Sequence, residues 1–162
     1  MLGITLLCVG KLKETYFADA LDEYRKRLGA YCRFTVTELA EQRLSGEKGP
    51  SEKEIAAALE REAAELERRI PAGAAVCAFC VEGNLLSSAE LAERLGAWAA
   101  GGQSRVCFLI GGSYGLSERL KRRAELRLSM SRMTFPHHLF RVMAAEQIYR
   151  AFTILEGGKY HK

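Results

Sequence analysis

The sequence predicts an α/β fold in which a parallel sheet is flanked by helices. Three observations lead to this prediction. Short apolar runs alternate with longer segments of helical periodicity, glycines follow several of the apolar runs, and two helical segments begin with a Ser-x-x-Glu capping box. Strands that alternate with helices favour a parallel sheet covered on both faces, and ligands of such sheets bind beyond the carboxyl ends of the strands.

The first half of the chain supplies two predicted strands and two predicted helices. The predicted elements are a buried strand over 4–9, a helix over 14–28, an edge strand over 33–39, a polar loop over 42–50 and a helix over 51–70. The first helix carries one apolar stripe, made of Phe17, Leu21, Tyr24 and Leu28. The second begins with the capping box of Ser51 and Glu54. Its predicted inward residues are Ile55, Leu59, Leu66 and Ile70.

The second half of the chain repeats this alternation. Its predicted elements are a strand over 74–81, a loop over 82–86, a helix over 87–100, a strand over 106–110, a short helix from Ser117, a strand over 126–130 and a helix over 137–155. A second capping box, Ser87 and Glu90, begins the helix over 87–100. The sequence contains neither a linker nor an internal repeat, so the 162 residues are predicted to form a single domain over 1–162.

The composition is that of a soluble globular protein, with 48% apolar and 27% charged residues. No stretch approaches the roughly 18 uninterrupted apolar residues that a membrane span needs. The opening segment MLGITLLCVG has no basic region before its apolar run, so we interpret it as a strand and not as a signal peptide. A cytoplasmic protein with no membrane partner is therefore expected.

Cysteine usage is a separate guide to function. Cys77 and Cys80 form a C-x-x-C, which leaves a small oxidoreductase as one alternative. Their segment has the periodicity of a strand, however, and residues three apart on a strand point to opposite faces. A redox C-x-x-C opens a helix instead, and a zinc site needs a second pair at similar spacing. We therefore expect structural cysteines and no bound metal.

The charge is distributed unevenly along the chain. Residues 1–104 carry 13 basic and 16 acidic side chains, whereas residues 105–162 carry 11 basic and 4 acidic ones and all three histidines. This excess of basic residues in the second part favours an anionic partner there, with nucleic acid as the first candidate. The alternative is that Arg119, Lys121, Arg122 and Arg123 only solvate the end of a short helix and interact with its dipole.

Two loops at predicted strand ends indicate a ligand site. The segment Ile110–Gly115 is rich in glycine, but it lacks the Lys-Ser/Thr pair of a P-loop and the spacing of the dinucleotide fingerprint. The loop Ser129–Pro136 offers backbone amides and a methionine-rich wall that suits a flat ring and a thioether chain. The two loops together predict a cofactor held by backbone groups.

The segment 131–150, SRMTFPHHLFRVMAAEQIYR, combines charge and apolar character. Two histidines, three arginines and a glutamate occur among apolar residues at helical spacing. A surface helix would place its charges on one face, and a core helix would have few of them, so these polar side chains are expected to line a cleft. Apolar residues also occupy more than one face of the final helix. Because only one face can pack on the sheet, we predict a symmetric homodimer through this helix.

Several long segments resemble one known family from end to end. They are VGKLK at 9–13, VEGNLLSS at 81–88, FLIGGSYGL at 108–116, LSMSRMTFPHHLFRV at 128–142, EQIYRAF at 146–152 and the terminal YHK. The family is that of ribosomal RNA large subunit methyltransferase H, a minimal SPOUT methyltransferase. The resemblance implies a SPOUT-type α/β knot with a C-terminal trefoil knot. It also implies a homodimer that binds S-adenosyl-L-methionine in the knot and methylates N3 of a pseudouridine in 23S ribosomal RNA within the assembled ribosome.

The same resemblance implies the site residues. Cofactor contacts fall on Phe79, Gly111, Met130, Ser131, Arg132, Met133, Thr134 and Phe135, and the residues of the 130–135 loop would act through their backbone. The position of Phe79 is often leucine in the family, so its ring would either stack on the adenine or crowd it. Arg150, Tyr160 and His161 match residues that the family places near the substrate.

Methylation of a uracil-type N3 has chemical requirements of its own. The N3 proton must be removed, or the imide anion stabilised, before the nitrogen attacks a sulfonium methyl group. His161 or His137, with an ordinary pKa of about 6.5, is a candidate proton acceptor. Arg150 is a candidate for stabilising the negative charge that develops on a ring carbonyl.

Each of these residues also has a structural interpretation. His137 could cap its helix or pack against Phe135. Glu146 and Arg150 are four residues apart and could form an intrahelical ion pair. Tyr160 could anchor a tail that is otherwise unstructured. A second function also stays open, a non-catalytic RNA- or ribosome-binding protein.

Overall fold

The computed structural model describes residues 1–44 and 48–162, and its elements alternate in the predicted order. They are β1 (Gly3–Val9), α1 (Thr15–Leu28), β2 (Arg33–Leu39), α2 (Glu52–Arg69), β3 (Ala75–Leu85), α3 (Ser88–Ala100), β4 (Arg105–Ile110), α4 (Glu118–Arg123), β5 (Leu126–Ser129) and α5 (His137–Leu155). The polar loop predicted over 42–50 falls partly on residues 45–47, which lie outside the described residues. The alternation of strands and helices is confirmed.

The five strands run parallel in one sheet, in the order β2-β1-β4-β3-β5. β2 lies at an edge, as its alternating pattern predicts. Because neighbouring strands are parallel, their carboxyl ends meet at the same edge of the sheet. The glycine-rich loop after β4 and the loop after β5 therefore come together there.

Alternate side chains of the strands enter two separate cores. On one face, Ile4 and Leu6 of β1 pack beneath α1, α3 and α5. On the other face, Leu7 and Val9 pack beneath α2 and α4. Both faces of the sheet are thus covered by helices, as a parallel sheet requires.

The two predicted capping boxes are confirmed. The Ser51 hydroxyl accepts the Glu54 N–H at 3.2 Å, and the Glu54 carboxylate accepts the Ser51 N–H at 2.7 Å. Ser87 and Glu90 make the equivalent pair of hydrogen bonds at the start of α3. Each box satisfies two backbone donors that the first turn of a helix otherwise leaves unpaired.

The buried face of α2 differs from the prediction. Leu66 is fully buried, whereas Ile55, Leu59 and Ile70 are only half-buried. The rest of the buried face is made of Ala58, Glu62 and Ala63. Small alanines allow the helix to approach the sheet closely, so the larger residues lie at the margin of the contact.

The loop predicted over 82–86 is wrong, because β3 continues to Leu85. Phe79 and Asn84 both pair with Leu128 of β5, so the residues between them form a bulge. Gly83 permits this arrangement, since a Cβ there would lie 2.8–2.9 Å from backbone atoms of Arg127 and Leu128. The bulge points residues 80–82 toward the carboxyl edge of the sheet, where they form part of a cleft.

Candidate functional site

A cleft of about 420 Å³ opens at the carboxyl edge of the sheet. Three chain segments line it: residues 79–82 of the β3 bulge, residues 110–116 of the glycine-rich loop, and the loop from Met130 into the start of α5. The volume lies within the range of about 300–1,000 Å³ that is typical of small-molecule sites. The cleft forms where the sequence places its two predicted ligand loops.

The glycine-rich loop closes tightly on itself. The Gly115 N–H donates to the Gly112 carbonyl at 3.1 Å, and these two residues form an isolated antiparallel bridge. A Cβ at Gly111 would collide with the backbone carbonyl of Gly115. Any side chain at Gly111 would therefore open the loop, rather than point into the cleft, and the loop requires glycine at this position.

Seven of the eight predicted cofactor residues line the cleft. They are Phe79, Gly111, Met130, Ser131, Met133, Thr134 and Phe135. Arg132 is exposed and is not among the lining residues. Hydrogen bonds within the loop after β5 stabilise its conformation. The Ser129 hydroxyl donates to the Ser131 carbonyl at 2.9 Å, and the Ser131 hydroxyl accepts the Met133 N–H at 3.1 Å.

Phe79 forms part of the floor of the cleft. Its ring stacks on Phe108, with centroids 5.8 Å apart, and meets Phe140 edge to face at 5.0 Å. Only 7% of the residue is exposed. The ring is therefore held in the core by two aromatic neighbours and presents an apolar surface to a ligand.

His137 is the one predicted catalytic residue that lines this cleft. It is the first residue of α5, and Pro136 occupies the N-cap position, so His137 does not cap the helix. Burial lowers the pKa of His137, and the neighbouring His138 and Arg141 lower it further. The imidazole is consequently neutral at pH 7 and has a nitrogen lone pair for a proton.

The other predicted catalytic residues form a second cluster, near the end of α5. The Glu146 carboxylate accepts from Arg150 Nη2 at 2.5 Å and from the Tyr160 hydroxyl at 3.1 Å. The Arg150 guanidinium lies over the Tyr160 ring, 4.7 Å from its centroid. Desolvation raises the pKa of Tyr160 to about 12. The intrahelical ion pair is confirmed. Tyr160 anchors the C-terminal tail through its contact with Glu146, as its structural interpretation predicted.

The same cluster fixes the tautomer of His161. Arg150 Nη1 lies 3.3 Å from His161 Nδ1. Because a guanidinium can only donate, Nδ1 is the acceptor in this contact and Nε2 carries the ring proton. In this arrangement Nε2 of His161 is a hydrogen-bond donor.

The structure does not bring all predicted catalytic residues together in one chain. His137 and Arg150 lie 13 positions apart on α5. At a rise of 1.5 Å per residue, this spacing separates them by about 20 Å along the helix. Arg150, Tyr160 and His161 are absent from the lining of the cleft.

Sequence reasoning missed two features of the cleft. Lys121 lines it, and its ammonium pairs with Glu82 at 2.5 Å and with Glu118 at 3.2 Å. The Glu41 carboxylate accepts the Ser113 N–H at 2.7 Å and thereby supports the glycine-rich loop from outside. The contacts to Glu82 and Glu41 span 39 and 72 residues of sequence, so no local motif indicates them.

Part of the basic excess in the second part of the chain is ion-paired within the protein. Arg119 pairs with Glu60 at 3.0 Å and with Glu67 at 2.5 Å, and Arg123 lies 3.7 Å from Glu67. These pairs join α4 to α2. Arg119 and Arg123 are therefore ion-paired with the acidic part of the chain, which neither the nucleic-acid contact nor the helix-end alternative predicted.

The cysteines have the structural role that the strand periodicity indicates. All five are free, and Cys77 is fully buried, whereas Cys80 is half-buried. Burial raises the pKa of both thiols. A raised pKa disfavours the thiolate, which is the reactive form in redox catalysis.

The described residues contain neither a cluster of potential metal ligands nor a membrane-spanning helix. Within residues 1–44 and 48–162, no group of three or more His, Cys, Asp or Glu side chains is placed to hold a metal ion. Over the same ranges, no helix has the length and apolar character to cross a membrane.

Comparisons with known proteins identify the class. A family model described as a predicted SPOUT methyltransferase matches residues 2–161. Proteins named ribosomal RNA large subunit methyltransferase H are 43% identical in Bacillus pumilus and 44% identical in Bifidobacterium animalis subsp. lactis, over 99% of this chain and 100% of each relative. A probable methylase family protein from Haemophilus influenzae superposes with a TM-score of 0.58 at 12% identity, covering 100% of this chain and 72% of that one.

The fold, the cleft and the family match together define a SPOUT methyltransferase, and the predicted fold class and enzyme class are confirmed. More specifically, the chain belongs to the ribosomal RNA large subunit methyltransferase H family, as its motifs indicate. The C-terminal trefoil knot concerns how the chain threads through its own loops, which the order of the strands does not define. The knot stays a prediction.

Proposed function

We propose that this protein transfers a methyl group from S-adenosyl-L-methionine to N3 of a pseudouridine in 23S ribosomal RNA of the large subunit. The observation that carries this proposal is the cleft at the carboxyl edge of the sheet. Three chain segments line this cleft, and a neutral histidine lies on its wall. The chain that forms it belongs to this methyltransferase family. The large-subunit ribosomal RNA follows the names of the relatives, and N3 of a pseudouridine is what the family resemblance implies.

The cleft fits the cofactor by its shape and its chemistry. Phe79 and the methionines of the 130–135 loop give an apolar surface for the adenine and the thioether chain. Gly111 lets the glycine-rich loop close on Gly115, because a side chain at this position would collide with the Gly115 backbone. We assign cofactor binding to Phe79, Gly111 and the loop from Met130 to Phe135, with Arg132 acting through its backbone. The bound cofactor supplies an electrophilic methyl group.

His137 is proposed as the proton acceptor for N3. Its lowered pKa keeps the imidazole unprotonated at neutral pH, and it stands on the wall of the cleft. Activity that depends on this group rises as the pH increases through its pKa and is constant above it. Arg150 would stabilise the ring carbonyl, Tyr160 would stack on the base, and His161 would donate from Nε2.

A homodimer brings the two groups of residues together. Leu139, Val142, Met143, Glu146 and Arg150 share the face of α5 that is opposite its buried face, and all five are only half-buried. In a symmetric antiparallel pairing of two α5 helices, the tail cluster of one protomer approaches His137 of its partner. In such a dimer, His137 of one protomer lies near Arg150 of its partner, although the two residues are about 20 Å apart within one chain.

The family and the single sheet support two broader statements. We propose that residues 1–162 form one domain, because the two cores share the same strands. We also propose that the protein acts in the cytoplasm, where bacterial ribosomal RNA is modified.

The direct test of this function is a methyl-transfer assay with labelled S-adenosyl-L-methionine, on ribosomes and on naked ribosomal RNA. We expect transfer to a pseudouridine, located by mass spectrometry of the digested RNA. The alternative, a non-catalytic ribosome-binding protein, predicts ribosome binding without cofactor binding or transfer.

We predict that Gly111→Ala disrupts the cofactor site while the protein stays folded. The new methyl group would displace the Gly115 backbone, and a misplacement of about 1 Å typically reduces rates on the order of 100-fold. Calorimetry with S-adenosyl-L-methionine and the transfer assay measure both effects. Gly3→Ala is the control, because a Cβ there meets its neighbours at 3.6–3.7 Å. Unchanged cofactor affinity in Gly111→Ala would contradict the site.

We predict that deletion of Tyr160–Lys162 separates cofactor binding from methyl transfer. The deletion removes the Tyr160 contacts to Glu146 and Arg150, so a small loss of thermal stability is expected. Transfer should fall by roughly 100-fold or more, whereas cofactor affinity should change little. His161→Ala is the matched single variant, and its rate is measured from pH 6 to 9. Full activity of the deletion on ribosomes would show that the tail lies outside the substrate site.

We predict a dimeric mass at micromolar concentration, measured by light scattering. Val142→Glu places a charge on the half-buried outer face of α5 and should produce monomers that still bind the cofactor. A monomeric mass for the wild-type protein would contradict the proposed assembly.

A further inference from the structure

The loop between β1 and α1, residues 10–14, is fastened to α5 by a buried arginine. Arg141 is fully buried, with 0% of the residue exposed. Its Nη1 donates to the Glu38 carboxylate at 2.7 Å, and its Nη2 donates to the Gly10 carbonyl at 2.9 Å. The arginine thus connects the end of β1, the end of β2 and the second turn of α5.

Two more contacts hold the same loop. The Glu38 oxygen that pairs with Arg141 also accepts the Leu12 N–H at 2.7 Å. The Glu14 carboxylate lies 2.8 Å from His138 Nδ1. The hydrogen bond from its own backbone N–H lowers the pKa of Glu14, and the bond to His138 lowers it further. The loop is therefore fixed at its beginning, its middle and its end.

This arrangement has an energetic cost. Removing a guanidinium from water costs several kcal/mol, which a single ion pair does not fully offset. Arg141 Nε is buried and has no hydrogen-bond partner among the described residues. An apolar residue would pack at this position without that cost. We conclude that the pair fixes the position of the loop rather than adding to stability.

The fixed loop carries two lysines toward solvent beside the cleft. Lys11 and Lys13 are exposed, and neither makes an ion pair within the described part of the chain. The loop's own carboxylate, Glu14, and the adjacent Glu38 are bonded to His138 and Arg141. Two contacts bring this loop beside the cleft. Glu14 bonds to His138, which follows the cleft-lining His137 directly, and Gly10 lies next to Glu41, which bonds to Ser113 of the glycine-rich loop.

We propose that residues 10–14 form a phosphate-binding platform, in which Lys11 and Lys13 contact the RNA backbone next to the target nucleotide and the Arg141–Glu38 pair holds them in position. The proposal rests on the proposed function. Two free cations on a pre-ordered loop attract phosphates without the entropic cost of ordering the loop. Arg119 and Arg123 of α4 do not offer this, because their charges are already paired with carboxylates of α2.

The test compares the double variant Lys11→Ala/Lys13→Ala with the control Lys26→Ala/Lys53→Ala. Both variants remove two exposed lysines. Lys26 lies in the last turn of α1. Lys53 lies in the first turn of α2, which packs on the face of the sheet opposite to α1 and α5. The KM for ribosomes, kcat and the cofactor affinity are measured over a series of salt concentrations.

For Lys11→Ala/Lys13→Ala, we expect KM to rise roughly tenfold, with kcat and cofactor affinity close to wild type. The slope of log KM against the logarithm of the salt concentration should become shallower by about 1.4–1.8, because each lost phosphate contact removes about 0.7–0.9 from this slope. A slope and KM equal to those of the control would overturn the platform. If the wild-type protein transfers no methyl group, the proposed function fails, and the same salt series on direct RNA binding tests the platform alone.

Discussion

All five strands run in the same direction, and this parallel arrangement determines where the loops of the cleft meet. It places the carboxyl ends of the strands at one edge, so the bulge of β3 and the loops after β4 and β5 meet without any additional element. Each loop then needs only a small local device: Gly83 lets the bulge approach β5, and Gly111 lets the glycine-rich loop close. The cleft is a consequence of sheet geometry, and its chemistry is added by a few side chains.

The last helix connects this cleft to the rest of the proposed site. Its first residue, His137, lies on the wall of the cleft, whereas Arg150 near its end holds the tail. The inner face of α5 packs in the core, yet Arg141 lies on that same face. A single helix therefore carries the proposed proton acceptor, the anchor of the β1–α1 loop and the half-buried face of the proposed dimer.

The sequence predicts some of these features and misses others for identifiable reasons. Apolar periodicity and capping boxes predict the order of the elements, because both are local. The extension of β3 to Leu85 was not predicted, because the local sequence around Glu82 and Gly83 is typical of a loop. The strand continues there only through its pairing with β5. Arg141 reads as one more charge in a mixed helix, because its partner Glu38 lies 103 residues away. The motifs identify His137 and His161 as candidates, but only the fold shows their separation.

Amide hydrogen exchange with and without S-adenosyl-L-methionine tests most directly whether the cofactor binds in this cleft. Binding at the carboxyl edge of the sheet predicts slower exchange in residues 79–82, 110–116 and 130–137, with α2 and the exposed side of α1 unchanged. Protection confined to other segments, or no protection at saturating cofactor, would contradict the assignment of the cleft.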